Sequence, residues 1–219
     1  MTDMLLREER ELVCLYGLRL LESGLTTGTG GNISVFNRDK GLMAIKPSGI
    51  DYGKISIEDV PVMDLSGNQV DGGKAPSSEY EMHAIFYRNR EDVNAVVHTH
   101  SRYATAIACL NWEIPPVHYL VAFAGEKVPC APYATYGTKE LAENAYRTMG
   151  KQYNATLLAN HGLLVVGASI TQAFAATEQI EFCAELYYLT KCIGDPVLLS
   201  SDKMVEVARK FGTYGQPHD

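Results

Sequence analysis

Apolar residues first recur at helical spacing. Leu5, Leu12, Leu15, Tyr16 and Leu20 stand among charges, and Ser23-Gly24 follows as a stop, which predicts an amphipathic helix over 5–21. The period then drops to two. Ile33-Ser34-Val35-Phe36 and Leu42-Met43-Ala44-Ile45 flank the turn Asn37-Arg38-Asp39-Lys40-Gly41 and predict a β-hairpin. A third strand is expected over 60–65, turning at Ser66-Gly67-Asn68, with Pro61 placing it at an edge or at a strand start. Glu79 to Tyr87 reads as a helix in which Ser78 and Glu81 match a capping box, so Glu79 falls in its first turn. Further on, the pattern predicts a strand closing at His98-Thr99-His100, a helix over 102–110 and a strand near Val128-Pro129-Cys130. A helix over 138–149, strands over 155–159 and 163–166, and a long helix over 171–193 stopped by Gly194 and Pro196 complete it. Without a regular strand–helix alternation, these elements imply an α/β mixed sheet flanked by helices rather than a doubly wound parallel sheet.

Composition narrows this further. The 219 residues can bury one core, and no Pro/Gly/Ser-rich or charge-rich stretch divides them, so a single domain over 1–219 is expected. With 19 basic against 26 acidic residues the formal charge is -7, which argues against nucleic acid as a partner and leaves room for a local anion pocket. Cys14, Cys109, Cys130, Cys183 and Cys192 are odd in number and widely spaced, as reduced thiols of a cytoplasmic protein would be. The acidic start Met1-Thr2-Asp3-Met4-Leu5-Leu6-Arg7-Glu8-Glu9 is unlike a signal peptide, and no apolar run reaches membrane-spanning length.

The candidate chemistry centres on Glu79, His98, His100 and His161. In a strand, the period of two turns His98 and His100 to one face, and two neutral imidazoles side by side are half a metal site. His161 interrupts the apolar segment 157–166 with Asn160 and Gly162, a pattern that presents a ligand at a strand end. Three imidazoles with an exchangeable oxygen form a usual catalytic zinc arrangement. The loop Gly28-Thr29-Gly30-Gly31-Asn32 fails the dinucleotide fingerprint, because Ile33 replaces the third glycine and the loop leads from a helix into a strand. Its N–H groups and side chains can still face an anion. Ser77-Ser78 at a helix start and Ser48-Gly49 after Lys46-Pro47 offer two more such elements, so a phosphate pocket built from dipoles more than from Lys or Arg is expected.

Five segments, Thr29-Gly30-Gly31-Asn32-Ile33-Ser34, Lys46-Pro47-Ser48-Gly49-Ile50, Pro76-Ser77-Ser78-Glu79, Val96-Val97-His98-Thr99-His100 and Asn160-His161-Gly162, resemble the class II aldolase/adducin-head family in order and approximate spacing. Pro115-Pro116-Val117-His118-Tyr119 and the segments 130–138 and 211–215 extend the resemblance into the tail. It implies a three-layer α/β/α fold with a mainly antiparallel central sheet, assembled as a homotetramer with active sites between subunits. Carried over, it makes His98, His100 and His161 the ligands of one Zn²⁺ per subunit, with Glu79 as a fourth. Thr29, Gly31, Asn32, Ser48, Gly49, Ser77 and Ser78 would bind the phosphate end of the substrate. Tyr119, from a neighbouring subunit, would serve as acid/base at the aldehyde oxygen, with Tyr136 and Tyr214 helping to bind and close over substrate.

The implied reaction is retro-aldol cleavage of a ketose 1-phosphate to dihydroxyacetone phosphate and an aldehyde. Zinc would be the electron sink, with Tyr119 and Glu79 moving the protons. The resemblance is nearest the branch acting on L-fuculose 1-phosphate, which gives L-lactaldehyde. Tyr136 stands where that branch has phenylalanine, Asn160 where it has a second histidine, and the tail after Tyr214 runs differently, which leaves the sugar open. Similar enzymes act on 5-deoxyribulose 1-phosphate, giving acetaldehyde and the main alternative, on 5-methylthioribulose 1-phosphate and on rhamnulose 1-phosphate. L-Ribulose-5-phosphate 4-epimerases share the fold but carry an aspartate where this chain has Glu79. A non-catalytic adducin-like module would lack the metal. A zinc hydrolase is a further alternative, disfavoured because the general-base motif expected on a helix is absent.

Overall fold

A computed structural model describes residues 4–211 of the chain. Its centre is an eight-stranded sheet, built from β1 (Asn32–Asn37), β2 (Leu42–Ile45), β3 (Val62–Asp64), β4 (Gln69–Asp71), β5 (Ala95–Thr99), β6 (Cys130–Ala131), β7 (Ala155–Leu158) and β8 (Gly162–Gly167). The order is β4-β3-β2-β1-β5-β8-β7-β6, antiparallel at every junction except the parallel pair β6–β7. The helices are α1 (Arg7–Glu22), α2 (Tyr80–Asn89), α3 (Arg102–Ala108), α4 (Lys139–Met149), α5 (Ile170–Ile193) and α6 (Ser201–Phe211).

Alternation along the strands sorts the core to the two sides of the sheet. Phe36, Val96, Leu164 and Val166 pack with Met82 and Phe86 of α2 and Leu141 and Ala145 of α4. On the opposite side Ile33, Val35 and Val97 meet Val13 and Leu20 of α1 and Phe174 of α5, while Leu163 and Val165 meet Ile107 of α3 and Ile180 of α5. β5 lies centrally with every residue buried, which its run Ala-Val-Val-His-Thr anticipates for a strand covered on both faces. Burying a side chain the size of Phe86 contributes about 1.5–3 kcal/mol, so loss of either helical layer would be costly.

Element by element the hydrophobic pattern is matched to within a few residues, with Pro61 directly before β3 as a strand start. The capping box is corrected. α2 begins one residue later, with Glu79 itself at the N-cap position and making no side-chain cap bond. Ser77 Oγ instead accepts from the Glu79 N–H at 3.2 Å, and Glu81 pairs with Arg88. The pattern also omitted β4, where Val70 is the only apolar residue and the strand is exposed at the sheet edge. It omitted α6 too, although Met204, Val207 and Phe211 are spaced for one helical face. Among the described residues no helix is long and apolar enough to cross a membrane.

Candidate active site

The three imidazoles converge because β5 ends beside the turn that joins β7 to β8. His98 lies within β5, paired with Asn32 of β1 on one side and Leu164 of β8 on the other, and has no exposed surface. His100 follows just past the strand end, its Nε2 3.1 Å from that of His98. His161 sits on the three-residue turn between β7 and β8, closed by the Leu158–Gly162 pair, with Asn160 at φ 55, a left-handed position that asparagine tolerates better than most residues. One ring nitrogen from each of the three lies within 4.8 Å of the others. His98 Nδ1 donates to the Leu163 carbonyl at 3.0 Å, which leaves its Nε2 lone pair free toward the cluster.

Glu79 completes the group. Oε2 lies 3.5 Å from His98 Nε2, and Oε1 lies 3.5 Å from His161 Nε2. Asn32 Nδ2 donates to Oε2 at 2.8 Å, whereas Oε1 is buried without a hydrogen-bond partner. A bare buried carboxylate oxygen is costly unless a cation or donor meets it, so this donor set fits a divalent metal. Burial, reinforced by the two neighbouring imidazoles, holds His98 well below the usual histidine range. Desolvation lowers His100 as well, and it lowers His161 against the opposing pull of Glu79. Neutral imidazole is the form that ligates a metal.

Beside this cluster lies a cavity of about 360 Å³. Two loops 29 residues apart in sequence form much of its wall because they pair: Ser48 N–H bonds the Ala75 carbonyl at 2.9 Å and Ser77 N–H the Lys46 carbonyl at 3.1 Å, around a Pro47–Pro76 bridge. Ser48, Gly49, Ser77 and Ser78 are thereby gathered on one side. Thr29, Gly31 and Asn32 line the same cavity from the glycine loop. Gly31 has φ +66, and a Cβ there would come within 2.6 Å of the His98 carbonyl, so the residue type is dictated by the close approach to β5.

A sequence profile described as Class II Aldolase and Adducin N-terminal domain matches residues 11–188. The chain belongs to this family. It is 55% identical over 213 residues, covering 97% of this chain and all of the relative, to a protein named 5-deoxy-D-ribulose 1-phosphate aldolase from Bacillus thuringiensis serovar kurstaki. To the L-fuculose phosphate aldolase of Escherichia coli strain K12 it is 42% identical over 200 residues, 90% of this chain and 91% of the other. A solved structure named L-fuculose 1-phosphate aldolase superposes with a TM-score of 0.93 at 47% identity, covering 97% of this chain and 100% of that one. Full-length likeness of this order to aldolases makes this family member a class II aldolase, a lyase, and its α/β fold is that of solved class II aldolases.

Within this aldolase the structure brings together all but two of the residues singled out in the sequence. Tyr136 lines the cavity mouth and is 69% exposed. Tyr119, by contrast, opens a short 3₁₀ helix over Tyr119–Phe123 and lines a separate depression with Phe123, Val207 and Phe211. Tyr214 lies outside the described residues. Lys46 was named in the sequence only as the neighbour of Ser48, yet it lines the cavity, is 2% exposed, and donates to the Thr29 and Pro47 carbonyls at 3.3 and 3.1 Å. Burial, partly opposed by Asp51, lowers its ammonium to about 8. The expectation of a pocket relying on dipoles is therefore adjusted by one buried cation. A lysine at a strand end carries no sequence mark of burial; only the folding of the glycine loop over it reveals it.

Proposed function

We propose that this chain cleaves 5-deoxyribulose 1-phosphate to dihydroxyacetone phosphate and acetaldehyde, with one zinc ion held by His98, His100 and His161 and, before substrate arrives, Glu79. The observation that carries the reaction type is the bare Oε1 of Glu79 among three imidazoles, at one end of a cavity whose other walls present hydroxyls and loop N–H groups. The sugar rests on the 55% full-length identity to the Bacillus relative, with Tyr136 as a local difference from the fuculose branch. L-Fuculose 1-phosphate is the second reading, favoured by the likeness to the solved structure.

A bound zinc ion would supply Lewis-acid stabilisation of the negative charge that develops on the three-carbon fragment. Thr29, Asn32, Ser48, Gly49, Ser77 and Ser78 would hold the phosphate, and Lys46 would add the only buried positive charge the cavity offers among the described residues. Glu79 would carry the proton that ends on the third carbon, and Tyr119 would take the proton of the fourth-carbon hydroxyl as the bond between them breaks. Because Tyr119 lines a depression separate from the cavity of its own chain, this role calls for a second copy, in keeping with the homotetramer with sites between subunits that the family resemblance implies. Tyr214 would close the same site. In this reading residues 1–219 are one three-layer α/β/α domain, and the enzyme is cytoplasmic, its five cysteines free.

The test is a coupled assay of dihydroxyacetone phosphate release from both sugars, on zinc-loaded and chelator-treated enzyme. Zinc-dependent release with kcat/KM at least about tenfold higher for 5-deoxyribulose 1-phosphate is expected, one missing polar contact being worth that much. A preference for L-fuculose 1-phosphate would move the assignment to the second reading, and release unaffected by chelation would remove the metal from it.

A further inference from the structure

His83 is a fully buried imidazole that the proposed reaction does not use. It lies on α2 one turn after Glu79, so the two side chains share a helix face. Both of its nitrogens are engaged: Nε2 bonds Asn32 Oδ1, and Nδ1 lies 2.7 Å from Ser34 Oγ. Asn32 and Ser34 stand two apart on β1 and so point the same way. One turn further along α2, the Tyr87 hydroxyl lies 2.6 Å from Ser34 Oγ. The result is a continuous buried chain, Tyr87–Ser34–His83–Asn32–Glu79.

Donor and acceptor rules give the chain one direction. A carboxylate only accepts, so Asn32 must turn Nδ2 to Glu79 and Oδ1 to His83. An amide oxygen also only accepts, so His83 carries its proton on Nε2. Its bare Nδ1 then accepts from the Ser34 hydroxyl, whose oxygen accepts from Tyr87. Burial lowers His83 to about 3, which keeps a single proton on the ring. Every group in the line is satisfied except the carboxylate oxygen at its end: Asn32 occupies Oε2 and leaves Oε1 bare toward His161.

We propose that His83 is a positioning residue that acts through Asn32 to hold the Glu79 carboxylate in one orientation, with Oε2 hydrogen-bonded and Oε1 presented to the histidine cluster. A buried histidine serving only the core would need its two hydrogen bonds satisfied, but would not influence metal affinity or turnover. The inference rests on the role proposed above for Glu79.

The test compares wild-type enzyme with His83→Gln, whose amide can still donate to Asn32, and with His83→Phe, which cannot. For His83→Phe we expect kcat and zinc affinity each to fall about 10- to 100-fold, with a smaller rise in KM for the ketose phosphate, within about tenfold, because Asn32 is one of several residues proposed to hold the phosphate and Ser48, Gly49, Ser77 and Ser78 are untouched. His83→Gln should recover most of both losses. ¹⁵N–¹H correlation spectra of the zinc-loaded wild-type protein should show His83 protonated on Nε2. An Nδ1-protonated ring, or a folded His83→Phe enzyme with wild-type kcat and zinc affinity, would overturn the proposal, as would equal impairment of the two variants. If His83→Phe does not fold, His83→Leu, which also cannot donate to Asn32, takes its place in the comparison with His83→Gln, and the tautomer is read as before. A wild-type protein that binds zinc and cleaves no ketose phosphate would instead overturn the proposed function, and the tautomer and zinc affinities would still judge His83.

Discussion

His98 lies inside a strand that is paired on both sides and has no exposed surface, while Ser48, Ser77 and Tyr136, which line the cavity beside the histidine cluster, stand on loops and turns, Tyr136 with 69% of its surface exposed. The imidazole end is thus fixed by ladder hydrogen bonds and by the buried line from Tyr87 to Glu79. The loop side, where we propose the phosphate binds, is fixed by two loops clamped together through backbone hydrogen bonds. Electrophile placement tolerates little displacement, so rigid elements suit it; a phosphate contacted by many weak donors can be held by loops. The difference teaches that damage at the two ends should be read in different kinetic constants.

The largest effect should come from His100→Ala, which removes one imidazole from the cluster. Loss of metal and a fall in cleavage of about a thousandfold or more are expected, since metal polarisation contributes several kcal/mol to the transition state. Metal analysis and dihydroxyacetone phosphate release measure it together; full metal content with normal turnover would place the reaction elsewhere. Next is Glu79→Gln, expected to keep the metal at saturating zinc, with an affinity lowered at least as far as in His83→Phe, and to lose about 10²- to 10⁴-fold in kcat, the usual share of a proton-transferring group. Turnover at the wild-type rate would remove Glu79 from the mechanism.

The smallest effect belongs to the loop end. Lys46→Met should raise KM for the sugar phosphate about tenfold with kcat little changed, as loss of one charge-assisted contact would. In the wild type KM should rise as the pH passes about 8, where Lys46 loses its proton, and the Lys46→Met profile should lack that rise. The sign for stability is opposite. Because the folded value is lowered, the unfolded chain binds the extra proton between about 8 and the ordinary lysine range, so this group's contribution to stability increases with pH across that window. A Lys46→Met enzyme impaired chiefly in kcat would erase the distinction between the two ends.

Much of this was legible along the chain. The period of two at His98 and His100 announced a shared face, the interruption of an apolar segment announced His161, and the glycine and serine elements pointed to the residues that line the cavity. The legible features are local, because strand and helix periodicities and turn residues act over a few positions. What stayed hidden depends on distant partners. Ser78 and Glu81 spell a capping box, yet the pull of Asn32 on Glu79 accompanies a later start of α2. His83 and Lys46 look in sequence like ordinary residues of a helix and a strand end, and become notable only when β1 and the glycine loop are laid against them.

The sequence by itself therefore determined the elements, the ligand types and the kind of reaction they suit, since residue chemistry and periodicity are properties of short segments. Only the tertiary structure decided which oxygen of Glu79 is bare, which way the line of hydrogen bonds runs, that the cavity holds a buried ammonium, and that Tyr119 lines a depression separate from that cavity. Each of those depends on groups brought together across 17 or more residues of chain or held apart by the fold, and a donor or acceptor has no assigned partner until the sheet has chosen its neighbours.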